Sequence, residues 1–132
     1  MIRSGTKADL NQIDTFDEFG GDRKLEIAEK RLQVYVSNNT VVGYITLVNE
    51  SCLCGHPLIT FLCVHPNYRR QRIASALLSE IENKCSNQKL FISTESNNQS
   101  MLSLIAKRSY TRSGSLSGLN DDKSDEVYFY KS

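Results

Sequence analysis

Residues 58–82 read LITFLCVHPNYRRQRIASALLSEIE, and this stretch decides the fold. Leu58 to Val64 is an apolar run long enough for one buried strand. His65-Pro66-Asn67 ends it, because Pro66 has no N–H to give a central ladder. Arg69, Arg70 and Arg72 follow in a short basic loop. From Ile73 the pattern turns helical. Ile73, Ala74, Leu77, Leu78 and Ile81 share one side at roughly 100° per residue, with Ser75, Ser79, Glu82 and Asn83 opposite. The unit is strand, basic loop, helix. A helix start carries N–H groups without partners, and arginines beside it add charge, so the unit suits a phosphate-bearing ligand.

Upstream, Leu32 to Val36 and Val41 to Val48 are β-branched runs joined by the turn residues Asn38-Asn39-Thr40, which predicts a hairpin. Gly43 inside it marks a bulge or a close packing contact. Further back, Ile2-Arg3-Ser4 is a short strand candidate. Thr6 and Asp9 have the spacing of a capping box opening a helix that buries Leu10, Ile13 and Phe16. Gly20-Gly21 punctuates, and Asp22 caps a second helix with Leu25, Ala28 and Leu32 facing inward. Downstream, Lys89 to Thr94 is a strand, and a helix runs from about Asn98 to Arg108 with Met101, Leu102, Leu104 and Ile105 as its apolar arc. Thr111 to Ser117 fits a strand with a loop, Leu119 to Asp125 an acidic turn, and Val127 to Tyr130 a terminal strand. The order is β-α-α-β-β-β-α-β-α-β-β, which predicts a mixed α/β sheet with helices on both faces.

At 132 residues the chain is read as a single domain, 1–132, with no repeat or linker. Sixteen basic against fifteen acidic residues leave a formal net charge of +1, which makes no case for a nucleic-acid or anionic-membrane partner. No apolar run reaches the about 18 residues of a membrane span, and the N-terminus lacks a signal-peptide core, so a cytoplasmic protein is expected. Cys52 and Cys54 form C-x-C, while Cys63 and Cys85 stand apart, and only two histidines are present. That spacing argues for structural thiols and no metal site. Cys63 as an acyl-carrying nucleophile would need a base beside it, and none adjoins in sequence.

The basic loop resembles the acetyl-coenzyme A-binding motif of the GNAT N-acetyltransferases, Q/R-x-x-G-x-G/A. Arg69 stands at the first position, Arg72 at the glycine and Ala74 at the last. Pro66 and Tyr68 fall where members often carry V-x-P-x-Y-R, and residues 41–44 read VVGY, as is frequent in the family. Residues 98–110 resemble a second pattern, N-x-x-A/M-x-x-L-Y-x-x-x-G-F, on Asn98, Met101, Leu104, Ile105, Ser109 and Tyr110. Here Ile105 replaces the tyrosine taken to protonate the leaving thiolate, and Ser109 replaces the glycine that closes the helix.

The resemblance implies the GNAT acyl-CoA N-acyltransferase fold. It also implies direct transfer of acetyl from acetyl-CoA, as co-substrate, to an amine on a small molecule or peptide. It assigns the cofactor to Leu62, Cys63 and Val64 on the strand, to Arg69, Arg70, Gln71, Arg72, Ile73, Ala74 and Ser75 around the pyrophosphate, and to Asn98, which reads equally well as a helix cap. For the base, Glu95 at a strand end is the leading candidate, with Glu50, His56, His65 or a bound water as alternatives. The departures at Arg72 and Ile105 motivate a second reading, a non-catalytic member binding CoA weakly or not at all. The terminal strand is a candidate for pairing with a second copy in a homodimer.

Overall fold

The computed structural model describes residues 1–132. Strands β1 (Ile2–Ser4), β2 (Leu32–Ser37), β3 (Thr40–Val48), β4 (Leu58–Val64), β5 (Leu90–Glu95), β6 (Thr111–Leu116) and β7 (Glu126–Lys131) form one seven-stranded sheet in the order β1-β2-β3-β4-β5-β7-β6. Helices α1 (Leu10–Asp14), α2 (Arg23–Ala28), α3 (Ile73–Lys84) and α4 (Gln99–Lys107) connect them. All neighbours run antiparallel except β4 and β5, whose crossover is α3. The mixed α/β sheet expected from the sequence is present, element for element.

Local chemistry accounts for the elements. Asn38 and Asn39 both take positive φ, 49° and 65°, giving β2–β3 the two-residue hairpin that suits strand twist. Asp9 closes the turn before α1 by accepting from the Thr6 amide at 2.8 Å, and it is buried against Arg3. Asp22 caps α2 by accepting from the Leu25 amide at 3.0 Å. On one face of the sheet, Ile73, Leu77, Leu78 and Ile81 of α3 and Ile105 of α4 pack on Ile45, Ile59, Leu62, Leu90 and Ile92. On the other, Ile13 and Phe16 pack on Val34, Val41, Tyr44 and Cys63. Each such side chain contributes about 1.5–3 kcal/mol of burial. Gly43 is a close contact and also borders a bulge, since the β2–β3 register shifts between Tyr35 and Val36 and leaves Val42 as the extra residue. A Cβ on Gly43 would lie 3.2 Å from Ile73 and 3.3 Å from the Cys63 carbonyl.

Three expectations are corrected. The first concerns α2, which turns Leu25 outward at 48% exposure and leaves Ala28 exposed, while Arg23 and Glu26 are buried. Arg23 donates to Tyr44 Oη at 2.6 Å and to the Gly20 carbonyl at 2.7 Å, and its guanidinium lies 4.3 Å from the Phe61 ring centroid. Polar bonding outcompetes the apolar pattern there. Arg23 Nε lies 2.8 Å from Glu26 Oε1, but both atoms lack a well-angled hydrogen bond, so this buried pair is an ion contact only. The second is β7, which has a partner on each side, so the terminal strand is not a free edge and β6 is. The third is Glu82, expected on the exposed side of α3 and found largely buried against Arg108 at the end of α4.

Glu82 ties the back of the sheet together. Arg108 grips it with Nη2 at 2.6 Å and Nε at 3.1 Å, and Tyr110 Oη donates at 2.9 Å. Burial pushes the Glu82 carboxyl up, but these hydrogen bonds outweigh it and hold it below its ordinary value near 4.5. A depressed carboxyl stabilises the fold above its unfolded pKa and loses that contribution as pH falls through the folded value. Arg108→Ala, which leaves the half-buried Glu82 with only the Tyr110 hydroxyl and Lys131 at 3.8 Å, is expected to cost about 2–3 kcal/mol in urea unfolding at pH 7. The deficit should shrink below pH ~4.

Candidate active site

The site begins where β4 and β5 part. They pair only at Leu58–Phe91 and Ile59–Ile92. From Thr60 on, β4 continues along β3 as far as Val64–Gly43, and β5 continues along β7 as far as Glu95–Glu126. A register shift at Thr46/Leu47 makes Thr60 the extra residue of a bulge, with its Oγ1 2.6 Å from Thr46 Oγ1. The outer half of β4 thus turns alternate N–H and C=O groups toward an open gap.

The gap leads into a cleft of about 640 Å³ between β4, the residue 68–72 loop and α4. Leu62, Cys63, Val64, Arg69, Arg70, Arg72, Ile73, Ala74, Ser75 and Asn98 all line it, and Gln71 alone of the expected cofactor set does not. Cys63 contributes main chain. Its thiol donates away, to the Phe16 carbonyl at 3.6 Å, and burial pushes its pKa up, which removes it as a nucleophile. Ala76 N–H bonds the Arg72 carbonyl, so helical bonding starts one turn in, and no protein group takes the amides of Ile73, Ala74 or Ser75. Arg72 is the N-cap and its side chain makes no cap bond. A position that ordinarily carries Ser, Thr, Asp or Asn has an arginine, and the orphan amides stay available to an anion.

Arg72 has φ 62° and ψ 20°, the left-handed region. At the glycine position of the resembled motif an arginine thus holds a backbone conformation that favours glycine. The same holds at Ser109, φ 65°, which ends α4. Ile105 is fully buried in the core, so the tyrosine position supplies no proton donor.

A second cavity of about 300 Å³ adjoins the first and shares Phe19, Leu62, Asn98 and Met101 with it. Glu95 lies here, with Glu126, Asn120 and Tyr128. Glu126 is fixed by Ser93 Oγ at 2.6 Å and Asn120 Nδ2 at 3.1 Å. Burial, then the neighbouring Asp122 and Glu126 carboxylates, push the Glu95 carboxyl above its ordinary value. The charges divide: Arg69, Arg70, Arg72 and Lys107 line the larger cleft, while the smaller holds only carboxylates. Glu50, His56 and His65 line neither. His65 accepts from the Asn67 amide through Nδ1 at 3.1 Å and packs on Phe16 and Tyr68. Asn98 accepts from the Met101 amide at 3.2 Å, so the cap is made, and it also borders both cavities.

The family model described as acetyltransferase (GNAT) family matches residues 6–110. The chain belongs to the GNAT acetyltransferase family. It is thereby an acyl-CoA-dependent N-acetyltransferase by class. Among solved structures it is similar to a GNAT-family acetyltransferase from Bacillus cereus ATCC 10987, at 27% identity and TM-score 0.81, covering 99% of this chain and 95% of the other. It shares the fold of a ribosomal-protein-alanine N-acetyltransferase from Brucella melitensis, at 21% identity and TM-score 0.80, covering 99% and 98%. It also shares the fold of Arabidopsis thaliana Naa50, solved with the bisubstrate analogue CoA-Ac-MVNAL, at 20% identity and TM-score 0.81, covering 100% and 97%. No curated protein sequence matches the chain.

The sequence missed Glu126, Tyr128, Phe19 and Glu18 at this GNAT site. Glu126 and Tyr128 were within reach, because a period of two along β7 puts them on one face, opposite Glu95 and Ser93 of β5. Phe19 and Glu18 sit in an aperiodic loop that offers no such signal.

The left-handed residue at position 72 is testable by stability alone. A β-branched side chain is excluded from that region, and a left-handed non-glycine costs about 1–2 kcal/mol. Arg72→Gly is expected to be neutral or up to about 1 kcal/mol more stable than the wild type, and Arg72→Val about 1–2 kcal/mol less stable. Equal melting temperatures for the two variants would show that the geometry is not required.

Proposed function

We propose that this single domain transfers acetyl from acetyl-CoA to the primary amine of a small-molecule or peptide acceptor, directly, with both substrates bound together. The supporting observation is the parted strand pair, which joins a cationic cleft to an anionic one through a shared wall. The residues present suit the co-substrate. Free amides at Ile73, Ala74 and Ser75, with Arg70 and Arg72 beside them, suit its phosphates. The backbone edge of Leu62 to Val64, where Arg69 already bonds the Val64 carbonyl, suits an extended amide arm, which can bond there as an added strand would.

The chain's own groups then have distinct tasks. Glu95, with its raised pKa, takes the proton of the acceptor ammonium or of the attacking nitrogen. The amine nitrogen bonds the thioester carbonyl carbon, and a β4 backbone N–H steadies the oxygen that gains charge. The carbon–sulfur bond breaks and the thiolate leaves. A thiol pKa of about 8.5 lies close enough to neutral that solvent can supply its proton, which is consistent with isoleucine at position 105.

Calorimetric titration with acetyl-CoA is expected to show micromolar binding. No heat at millimolar acetyl-CoA would favour a member of the fold that has lost its ligand. Because Glu95 must be ionised to act, activity should fall as pH drops through its raised pKa. Glu95→Gln should lower kcat by about 10² and flatten that acid limb while leaving acetyl-CoA affinity unchanged.

A further inference from the structure

The arginine that opens the phosphate loop is already engaged. Arg69 Nη2 pairs with Glu18 Oε1, and Arg69 Nε donates to the Val64 carbonyl at 3.2 Å. Glu18 belongs to the segment between α1 and α2, and it is the only acidic residue lining the cationic cleft. The segment is fixed on both sides of it. Before it, Asp17 Oδ1 accepts from Tyr44 Oη at 2.5 Å. After it, the Gly20 carbonyl accepts from Arg23 Nη2 at 2.7 Å. Between these anchors, Phe19 lines both cavities, 40% exposed, with its ring 5.6 Å from that of Phe61.

A carboxylate and a phosphate compete here for one guanidinium. We propose that Glu18 is a positioning residue for Arg69. It holds the guanidinium, and with it the Phe19 segment, until the phosphates of the co-substrate take Arg69. Exchange of partners then releases Glu18 and Phe19 beside the smaller cavity. This rests on the acetyl-CoA reading above. The tip is free to move because its anchors, Asp17 and Gly20, do not depend on Arg69. Both partners of the pair are about half exposed, 51% and 52%, so its hold is of the modest kind that a ligand can replace.

The test uses the whole chain and CoA as the probe, at low salt. Removing the competing charge by Glu18→Gln should tighten CoA binding about two- to fivefold, the equivalent of one exposed ion pair. In an Arg69→Gln background the same change should have little effect, because the two residues act through each other. Amide hydrogen exchange at residues 17–21 should speed up when CoA is added to the wild type, and should be fast in Glu18→Gln before any is added. A merely structural Glu18 would give weaker or unchanged binding and no CoA-dependent exchange, and either result overturns the proposal. No heat from CoA with wild type or variant would instead defeat the acetyl-CoA reading and this inference with it. Binding by both proteins at equal affinity defeats this inference alone.

Discussion

Between β4 and β5 the parallel ladder runs for the pairs Leu58–Phe91 and Ile59–Ile92 and stops, and the rest of the molecule is arranged around that stop. An unpaired backbone group inside a sheet costs about 1–3 kcal/mol if nothing else bonds it, so a gap mid-sheet closes unless both sides are held apart. Here β3 holds β4 through to Val64, and β7 holds β5 through to Glu95. The bulge at Thr60 swings β4 away. Because β4 and β5 are parallel, the connection must be a crossover, and α3 starts at the mouth of the gap with its free amides facing it. One broken ladder therefore places the backbone edge, the helix start and both cavities together.

Two polar networks keep that arrangement rigid from opposite faces. On the α1–α2 side, Tyr44, Asp17, Arg23 and Glu26 fix the segment over the cleft. Burial, together with the Asp17 carboxylate, pushes the Tyr44 phenol up, so it stays a neutral donor. On the α3–α4 side, Glu82, Arg108 and Tyr110 tie α3 to the end of α4 and the start of β6. Both networks lie where an apolar pattern predicts nothing, because hydrogen bonding to a buried group can outweigh a side chain's transfer energy.

Much of the framework was legible. The limits of β4 follow from an apolar run closed by Pro66, and the start of α3 at Ile73 from helical spacing after a basic loop. The cationic cleft was legible as well, since strand end, arginines and helix start are consecutive. The inward face of α2 was not. Leu25 is the apolar residue, but Arg23 turns in because its partner Tyr44 comes from β3, far away in the chain, and Glu26 turns in beside Arg23. The anionic cavity was legible only in part: Glu95 was visible as a strand end, whereas Glu126 became relevant once β7 lay beside β5.

By itself, then, the sequence determined the order and type of the elements, the class of fold, and the cationic half of the site, because those depend on periodicity and on neighbours along the chain. Tertiary structure decided where the sheet parts, which carboxylates line the smaller cavity, and that Glu18 meets Arg69. Each of these joins residues from different elements. Such meetings are fixed by strand register and packing, which leave no local mark in the sequence.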